Sequence, residues 1–284
     1  MLFNSTRVRI VRFLQRTSTR PRVGLERDGI VYDVEALEHA LGAAVEVPGD
    51  AWDFHTRVIA LGCAGLRELD ASLLQGKRPA AARIDVGDDV VLLAPCDVER
   101  AAYVHVDPSD AGAPRVRLGS ARAFFGPEAL VDLPRDEPEP GIDAGLAIVI
   151  GEDLRDATPK EARHAIVGFT VLIDWCARQG ERTARAHETV KGLHTQIGPA
   201  LVAATAVPKP AAMRVTATVE GAAIDLGTLA DLGLTPEDAI ALASTHLELR
   251  AGDVVGLGPL PASRGLRVAY HDKVTVSVER IGTL

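Results

Sequence analysis

Gly168-Phe169-Thr170-Val171-Leu172-Ile173-Asp174-Trp175-Cys176-Ala177-Arg178 reads as the end of a buried strand over Ile166 to Asp174, closed by a lone carboxylate with an arginine shortly beyond it. A strand that delivers an aspartate to the rim of a sheet places a metal ligand or an acid/base group there. What meets Asp174 therefore decides its chemistry. Upstream, Leu146 to Ile150 is a second buried strand stopped by Gly151, with Asp143 just before it. Between the two, Thr158-Pro159-Lys160-Glu161 carries a capping box with proline at the first helical position, so a short helix starts there.

Farther out the same kind of signal recurs. Downstream, Gln179 to His194 is a polar loop ending near Gly198-Pro199, and Arg214 to Val219 alternates and turns at Glu220-Gly221. Thr235-Pro236-Glu237-Asp238 opens a helix to about Leu247, and Asp253 to Leu257 and Lys273 to Ile281 read as strands. Toward the N-terminus, Val8 to Leu14, Arg22 to Leu25 and Ile30 to Asp33 are short strands with a turn at Asp28-Gly29, while Val34 to Leu41 and Asp53 to Leu74 carry helical spacing. Asp89 to Leu93 is a strand running into Pro95. From Cys96 to Pro140, Asp, Pro, Gly and Arg dominate, which predicts a long surface excursion around strand-like Arg115 to Leu118 and Ala129 to Leu133. Short helices among many strands predict a β-rich α+β fold, with a small N-terminal α/β domain over residues 1–88 and a larger domain over 89–284.

Composition narrows the function. The chain has 284 residues, 47% of them hydrophobic, and a net charge of −8, which excludes a general nucleic-acid binder with a basic stripe. The arginines between Arg7 and Arg22 alternate with apolar residues and read as the solvated face of an edge strand. Three cysteines without a CxxC pattern (Cys63, Cys96 and Cys176) predict neither disulfides nor a zinc finger. No apolar run approaches the roughly 20 residues of a membrane span, and Arg7, Arg9 and Arg12 interrupt any signal-peptide core. The expectation is a cytoplasmic protein with no nucleic-acid or membrane partner.

Several catalytic templates are missing: there is no GxSxG, GxxxxGK[ST], HExxH or complete GxGxxG, and Gly256-Leu257-Gly258 is too short to count as one. What remains is carboxylates at strand ends. Neighbouring strands could bring Asp143 and Asp174 to one edge, and the residue sharing a face with Asp143 is Gly145, which has no side chain. Tyr103, His105 and Asp107 alternate as one strand face would, so they are either an acid/base group or a solvated face.

Asp143-Ala144-Gly145-Leu146-Ala147-Ile148-Val149-Ile150-Gly151, then Gly168-Phe169-Thr170-Val171, Asp174-Trp175-Cys176-Ala177-Arg178, Gly198-Pro199 and Leu249-Arg250-Ala251-Gly252-Asp253-Val254-Val255 together resemble the fumarylacetoacetate hydrolase family. Val11-Arg12-Phe13 and Arg22-Val23-Gly24-Leu25 fit its small N-terminal domain, so the resemblance covers nearly the whole chain. It implies a mixed β-roll or sandwich domain, a homodimer, and Mg²⁺ or Mn²⁺ held by a Glu-x-Glu pair and a later Asp. The reactions it implies are C–C hydrolysis, decarboxylation, hydration or keto-enol isomerisation next to β-dicarbonyl groups. A hard divalent cation can chelate such a substrate and stabilise its enolate.

Carried over residue by residue, the metal pattern is damaged. Asp143 takes the place of the first Glu, Gly145 that of the second, and Asp174 is kept, so Mg²⁺ or Mn²⁺ should bind weakly or not at all unless His187 or His194 completes a softer site. The family's Thr-Gly-Thr-Pro run reads Leu257-Gly258-Pro259-Leu260 here, and the lysine of its Phe-x-Lys segment falls near Gly119. Lys191 matches the lysine that polarises a substrate oxygen, and Arg178 is kept in register for a substrate carboxylate. The family's lid Tyr-x-x-His-x-x-Glu corresponds to Tyr103-Val104-His105-Val106-Asp107, making His105 with Asp107 or Asp110 the acid/base candidates and Tyr103 a substrate contact. The resemblance thus implies an enzyme on a β-dicarbonyl or 2-keto acid with weak or no metal dependence. The competing readings are a non-catalytic binding or assembly subunit, and a member redirected to cyclisation or elimination.

Overall fold

The computed structural model describes residues 8–42, 58–59, 63–87, 89–96, 101–108, 113–119, 124–127, 129–132, 140–177 and 194–284. In chain order the strands are β1 (Arg9–Gln15), β2 (Arg22–Arg27), β3 (Ile30–Asp33), β4 (Arg83–Ile84), β5 (Val90–Leu93), β6 (Tyr103–Asp107), β7 (Arg115–Gly119) and β8 (Phe124–Phe125). Then follow β9 (Pro140–Ile150), β10 (Ile166–Ala177), β11 (His194–Ala203), β12 (Arg214–Val219), β13 (Ala222–Thr228), β14 (Val254–Leu257), β15 (Val274–Val278) and β16 (Gly282–Thr283). The helices are α1 (Val34–Leu41), α2 (Cys63–Leu74), α3 (Pro159–Ala165) and α4 (Pro236–His246). This is a β-rich α+β fold.

Among the described residues, a 12-stranded sheet runs β4-β3-β2-β1-β11-β10-β9-β14-β6-β7, with β5 beside β1 and β8 beside β11, and a 4-stranded sheet runs β13-β12-β15-β16. Its centre is the antiparallel pair β9 and β10, whose register sets Asp174 opposite Asp143 and Leu172 opposite Gly145. Because side chains alternate, β9 feeds two cores. Ile142, Ala144, Leu146, Ile148 and Ile150 pack with the small sheet and α3 and α4, whereas Ala147 and Val149 share the opposite face with Leu172, Ile197 and the apolar residues of β1, β2, α1 and α2. Each fully buried large aliphatic contributes about 1.5–3 kcal/mol of transfer free energy.

Local signals act as expected where they are strong. Thr158 and Glu161 form the capping box of α3, Thr235 caps α4 through the Asp238 amide, and Glu220 and Gly221 turn β12 into β13 with positive φ. Other expectations are corrected. β1 is an interior strand, paired with β2, β5 and β11, and Arg12 is buried with its guanidinium donating to the carbonyls of Ala94 and Cys96. That bonding lets an arginine lie where a solvated face is expected. The excursion from Cys96 to Pro140 contains the buried strand β6, while residues 129–132 form no strand and Leu130 is exposed. Asp143 lies inside an 11-residue strand rather than before it, and β10 continues three residues past Asp174. The end of the expected loop, from His194 to Pro199, belongs to strand β11, in which His194 to Gly198 and then Val202 and Ala203 pair with β10 across a register shift.

Candidate functional site

The order β11-β10-β9-β14-β6-β7 lays Thr195, Asp174, Asp143, His105 and Arg117 across one face of the sheet. Thr195 stands opposite Asp174, Asp174 opposite Asp143, and His105 opposite Arg117. Tyr103 and His105, two apart on β6, share that face. Tyr103, His105, Asp143 and Asp174 are only 2–4% exposed. Four polar side chains of that size would cost the fold dearly without partners.

Their partners are largely one another. Thr195 Oγ1 donates to Asp174 Oδ1 at 2.6 Å. The Tyr103 hydroxyl lies 2.9 Å from His105 Nδ1 and 3.3 Å from Asp174 Oδ2, and those two acceptors are themselves 3.3 Å apart. His105 Nε2 sits 2.9 Å from the Gly258 carbonyl, which only accepts, so Nε2 carries a proton and donates it. In the neutral ring Nδ1 is then an acceptor. With the ring neutral, one phenolic proton faces two acceptors; with it protonated, Nδ1–H donates to Asp174 Oδ2 instead. Burial, and next the neighbouring Asp174 carboxylate, push the Tyr103 phenol well above the usual tyrosine range, so it stays protonated at neutral pH.

Glycines make this convergence possible. A Cβ at Gly256 would lie 2.7 Å from the Tyr103 hydroxyl, and one at Gly119 would meet the Tyr103 ring at 2.1 Å, so the ring crosses the sheet between two bare backbones. Gly145 is equally constrained, since its Cβ would stand 2.4 Å from the Leu257 carbonyl oxygen.

That geometry bears on the expected metal. Gly145 leaves no second carboxylate beside Asp143, and Asp174 has one oxygen bonded to Thr195 and the other facing Tyr103 and His105. Among the described residues no group of three or more His, Cys, Asp or Glu side chains is arranged to hold a metal ion. The Asp143 and Asp174 pair is brought together, but these residues do not fit the three-carboxylate chelate. His194 does not complete it. It pairs with Trp175, so it leaves the sheet on the side away from Asp174, and its Nε2 meets the Asp132 carbonyl.

Of the other candidates, Asp107 is held by Arg117 and Arg264, and the carboxylate within reach of the His105 ring is Asp174. Arg178, His187, Lys191 and Asp110 lie outside the described residues. Thr195 and Arg117 are absent from the residues singled out in the sequence, and Gly258 is noted there only within Gly256-Leu257-Gly258 and Leu257-Gly258-Pro259-Leu260. Only the Gly256-Leu257-Gly258 repeat signals anything there, and its role is close approach of backbones rather than nucleotide binding.

Residues 90–284, which hold every side chain of this cluster, match the family described as Fumarylacetoacetate (FAA) hydrolase C-terminal. The chain belongs to the fumarylacetoacetate hydrolase family. An uncharacterized protein of Pyrococcus abyssi is 27% identical over 201 residues, 69% of this chain and 87% of that one. A human mitochondrial oxaloacetate tautomerase is 27% identical over 173 residues, 58% of this chain and 55% of that one, so the match spans about half of the human protein. The crystal structure of maleylpyruvate hydrolase from Sphingobium sp. SYK-6 in complex with manganese(II) ion and pyruvate superposes with a TM-score of 0.68 at 21% identity, covering 97% of each chain. That likeness shows the same fold. Fumarylacetoacetate hydrolase relatives are hydrolases, isomerases and tautomerases of keto acids, and this chain is an enzyme of that family. The binding-subunit reading is accordingly set aside.

Proposed function

We propose that this enzyme interconverts the keto and enol forms of a small 2-keto or β-dicarbonyl acid, with weak or no dependence on a divalent cation. The observation that carries the reading is the Tyr103 hydroxyl proton poised between His105 Nδ1 and Asp174 Oδ2 inside a buried cluster. Keto-enol exchange breaks a C3–H bond, forms the C2–C3 double bond and places a proton on the C2 oxygen. A network that holds one proton between a base and a carboxylate supplies both transfers. Asp174 and His105 act as base, and Tyr103 returns the proton to oxygen. The dry surroundings strengthen each electrostatic contact with the developing enolate.

The activity of the human relative, an oxaloacetate tautomerase, supports the substrate class, and that of maleylpyruvate hydrolase supports C–C cleavage as the second outcome. By the resemblance in sequence, Lys191 would polarise the substrate oxygen and Arg178 would pair with its first carboxylate. Asp143 lowers the cost of positive charge beside Asp174. The division at residue 88, the homodimer and the cytoplasmic setting belong to the same reading. Among the described residues no helix is long and apolar enough to cross a membrane.

The test is turnover of enolic oxaloacetate and of acylpyruvates with and without Mg²⁺, Mn²⁺ or a chelator. Exchange or cleavage that survives the chelator is expected; turnover that needs added metal would count against the reading.

A further inference from the structure

On the sheet side, the Tyr103 ring is bounded by two bare backbones. Gly119 on β7 pairs with Tyr103, and a Cβ there would meet the ring on its Cδ1 side, while a Cβ at Gly256 on β14 would meet its Cε2 side and the hydroxyl. Glycines leave the ring room to approach but offer no side chain to grip it. Another element has to hold the ring if its hydroxyl is to stay 2.9 Å from His105 Nδ1 and 3.3 Å from Asp174 Oδ2.

Phe124 supplies that hold. Its ring centroid lies 4.8 Å from that of Tyr103 with the two planes at 56°, a tilted contact within the range that aromatic pairs favour. The residue belongs to β8, which runs parallel beside β11 with Phe124 in register with Thr195 and Phe125 with Gln196. Phe124 is buried in the same core cluster as Tyr103, together with Ala147, Val149, Leu172 and Ile197. Its neighbours along the chain are pinned as well. A Cβ at Gly126 would lie 2.6 Å from the Leu92 carbonyl oxygen, so the backbone leaving β8 runs close against β5. The Phe125 ring meets the His194 ring at 4.8 Å, and Gln196 Nε2 donates to the Ala129 carbonyl at 3.2 Å. With anchors on both β5 and β11, Phe124 is a fixed wall behind the phenol.

We propose that Phe124 is a positioning residue that clamps the Tyr103 ring against Gly119 and Gly256 and thereby keeps the phenolic proton within reach of His105 and Asp174. This rests on the keto-enol reading above and adds the residue that sets its geometry. The hydroxyl stands at the far end of the side chain, so a small swing of the ring about Cβ carries it away from both partners. A misplacement of about 1 Å at a reacting group costs on the order of 100-fold in rate. Such a swing weakens the proton transfer and not the grip on substrate, so the loss falls on kcat rather than KM.

The test follows C3 deuterium exchange of oxaloacetate by NMR in wild type, Phe124→Leu, Phe124→Ala and Leu37→Ala. Leu37→Ala removes a buried side chain of the same core on α1 and controls for lost packing alone. Phe124→Leu, which keeps most of the apolar volume, should lower kcat by about 10-fold and Phe124→Ala by about 100-fold, with KM little changed; Leu37→Ala should keep the wild-type kcat. The ¹⁵N resonance of His105 Nδ1, read at a pH where the ring is neutral, reports the Tyr103 hydrogen bond without any turnover. It should move in both folded Phe124 variants and stay in place in Leu37→Ala. A wild-type kcat in folded Phe124→Ala, an equal loss in Leu37→Ala, or an unmoved Nδ1 resonance in the Phe124 variants would each overturn the assignment. If wild type exchanges no keto acid but the Nδ1 resonance moves as described, the keto-enol reading fails and the clamp stands. If wild type exchanges oxaloacetate and the Phe124 variants match it in rate and resonance, the reading stands and the clamp fails.

Discussion

Tyr103 carries the proton on which the proposed chemistry turns, and its environment has a consequence away from the reaction. Its folded-state pKa is raised, mainly by burial and then by Asp174. Below about pH 10 folded and unfolded chains both hold the phenolic proton; above it the unfolded chain releases a proton that the folded chain keeps, so stability falls as pH rises toward the folded value. Replacing Tyr103 with Phe should remove that component, and melting temperatures at pH 9 and pH 11 should then differ less than in the wild type. Gly256 is the second decisive residue. A methyl group there would meet the Tyr103 hydroxyl at 2.7 Å, so Gly256→Ala should cost about 1–3 kcal/mol in denaturant unfolding and slow turnover by shifting the phenol from Asp174. Asp174 is legible in the sequence as an important carboxylate. Its partner Thr195 is not, because a threonine within His194-Thr195-Gln196 looks like any loop hydroxyl until β11 sets it opposite Asp174.

At the scale of elements, legibility follows the strength of the local signal. The caps at Thr158 and Thr235 and the turn at Glu220-Gly221 have local causes and are read correctly, as are the apolar strands that lead into Ile150 and Asp174. β11, and the buried character of β6, are hidden for the opposite reason. The alternation of Tyr103, His105 and Asp107 is visible, but the burial of Tyr103, His105, Thr195 and Gln196 rests largely on cross-strand partners such as Asp174 and Gly258 that lie far away in sequence. The register of β9 also corrects the simplest repair of the metal site: Gly145→Glu would drive a side chain into the Leu257 carbonyl, so it should destabilise rather than create a ligand. Asp253 shows how β6 is tied in from afar. Its Oδ1 accepts from the Ala102 amide at 2.6 Å and its Oδ2 from the Arg250 amide at 2.8 Å. Asp253→Ala leaves both donors unmatched and should cost roughly 2–4 kcal/mol in denaturant unfolding, with β6 amides losing hydrogen-exchange protection first.

For the whole molecule, a family scaffold is retained while the central donor set departs from a three-carboxylate chelate. The sheet still sets Asp143 opposite Asp174, yet the space around them is taken by Tyr103, His105 and backbone. Order of motifs along the chain makes the fold readable from sequence, since it survives the loss of single ligands. Site chemistry is less readable, because it depends on which strands become neighbours across β14. The most direct test compares keto-enol exchange of oxaloacetate by the wild type, Tyr103→Phe and His105→Gln, with circular dichroism establishing that each variant is folded. Rates at least about 100-fold below wild type in both folded variants are expected if this network moves the proton; wild-type rates in either one would contradict it.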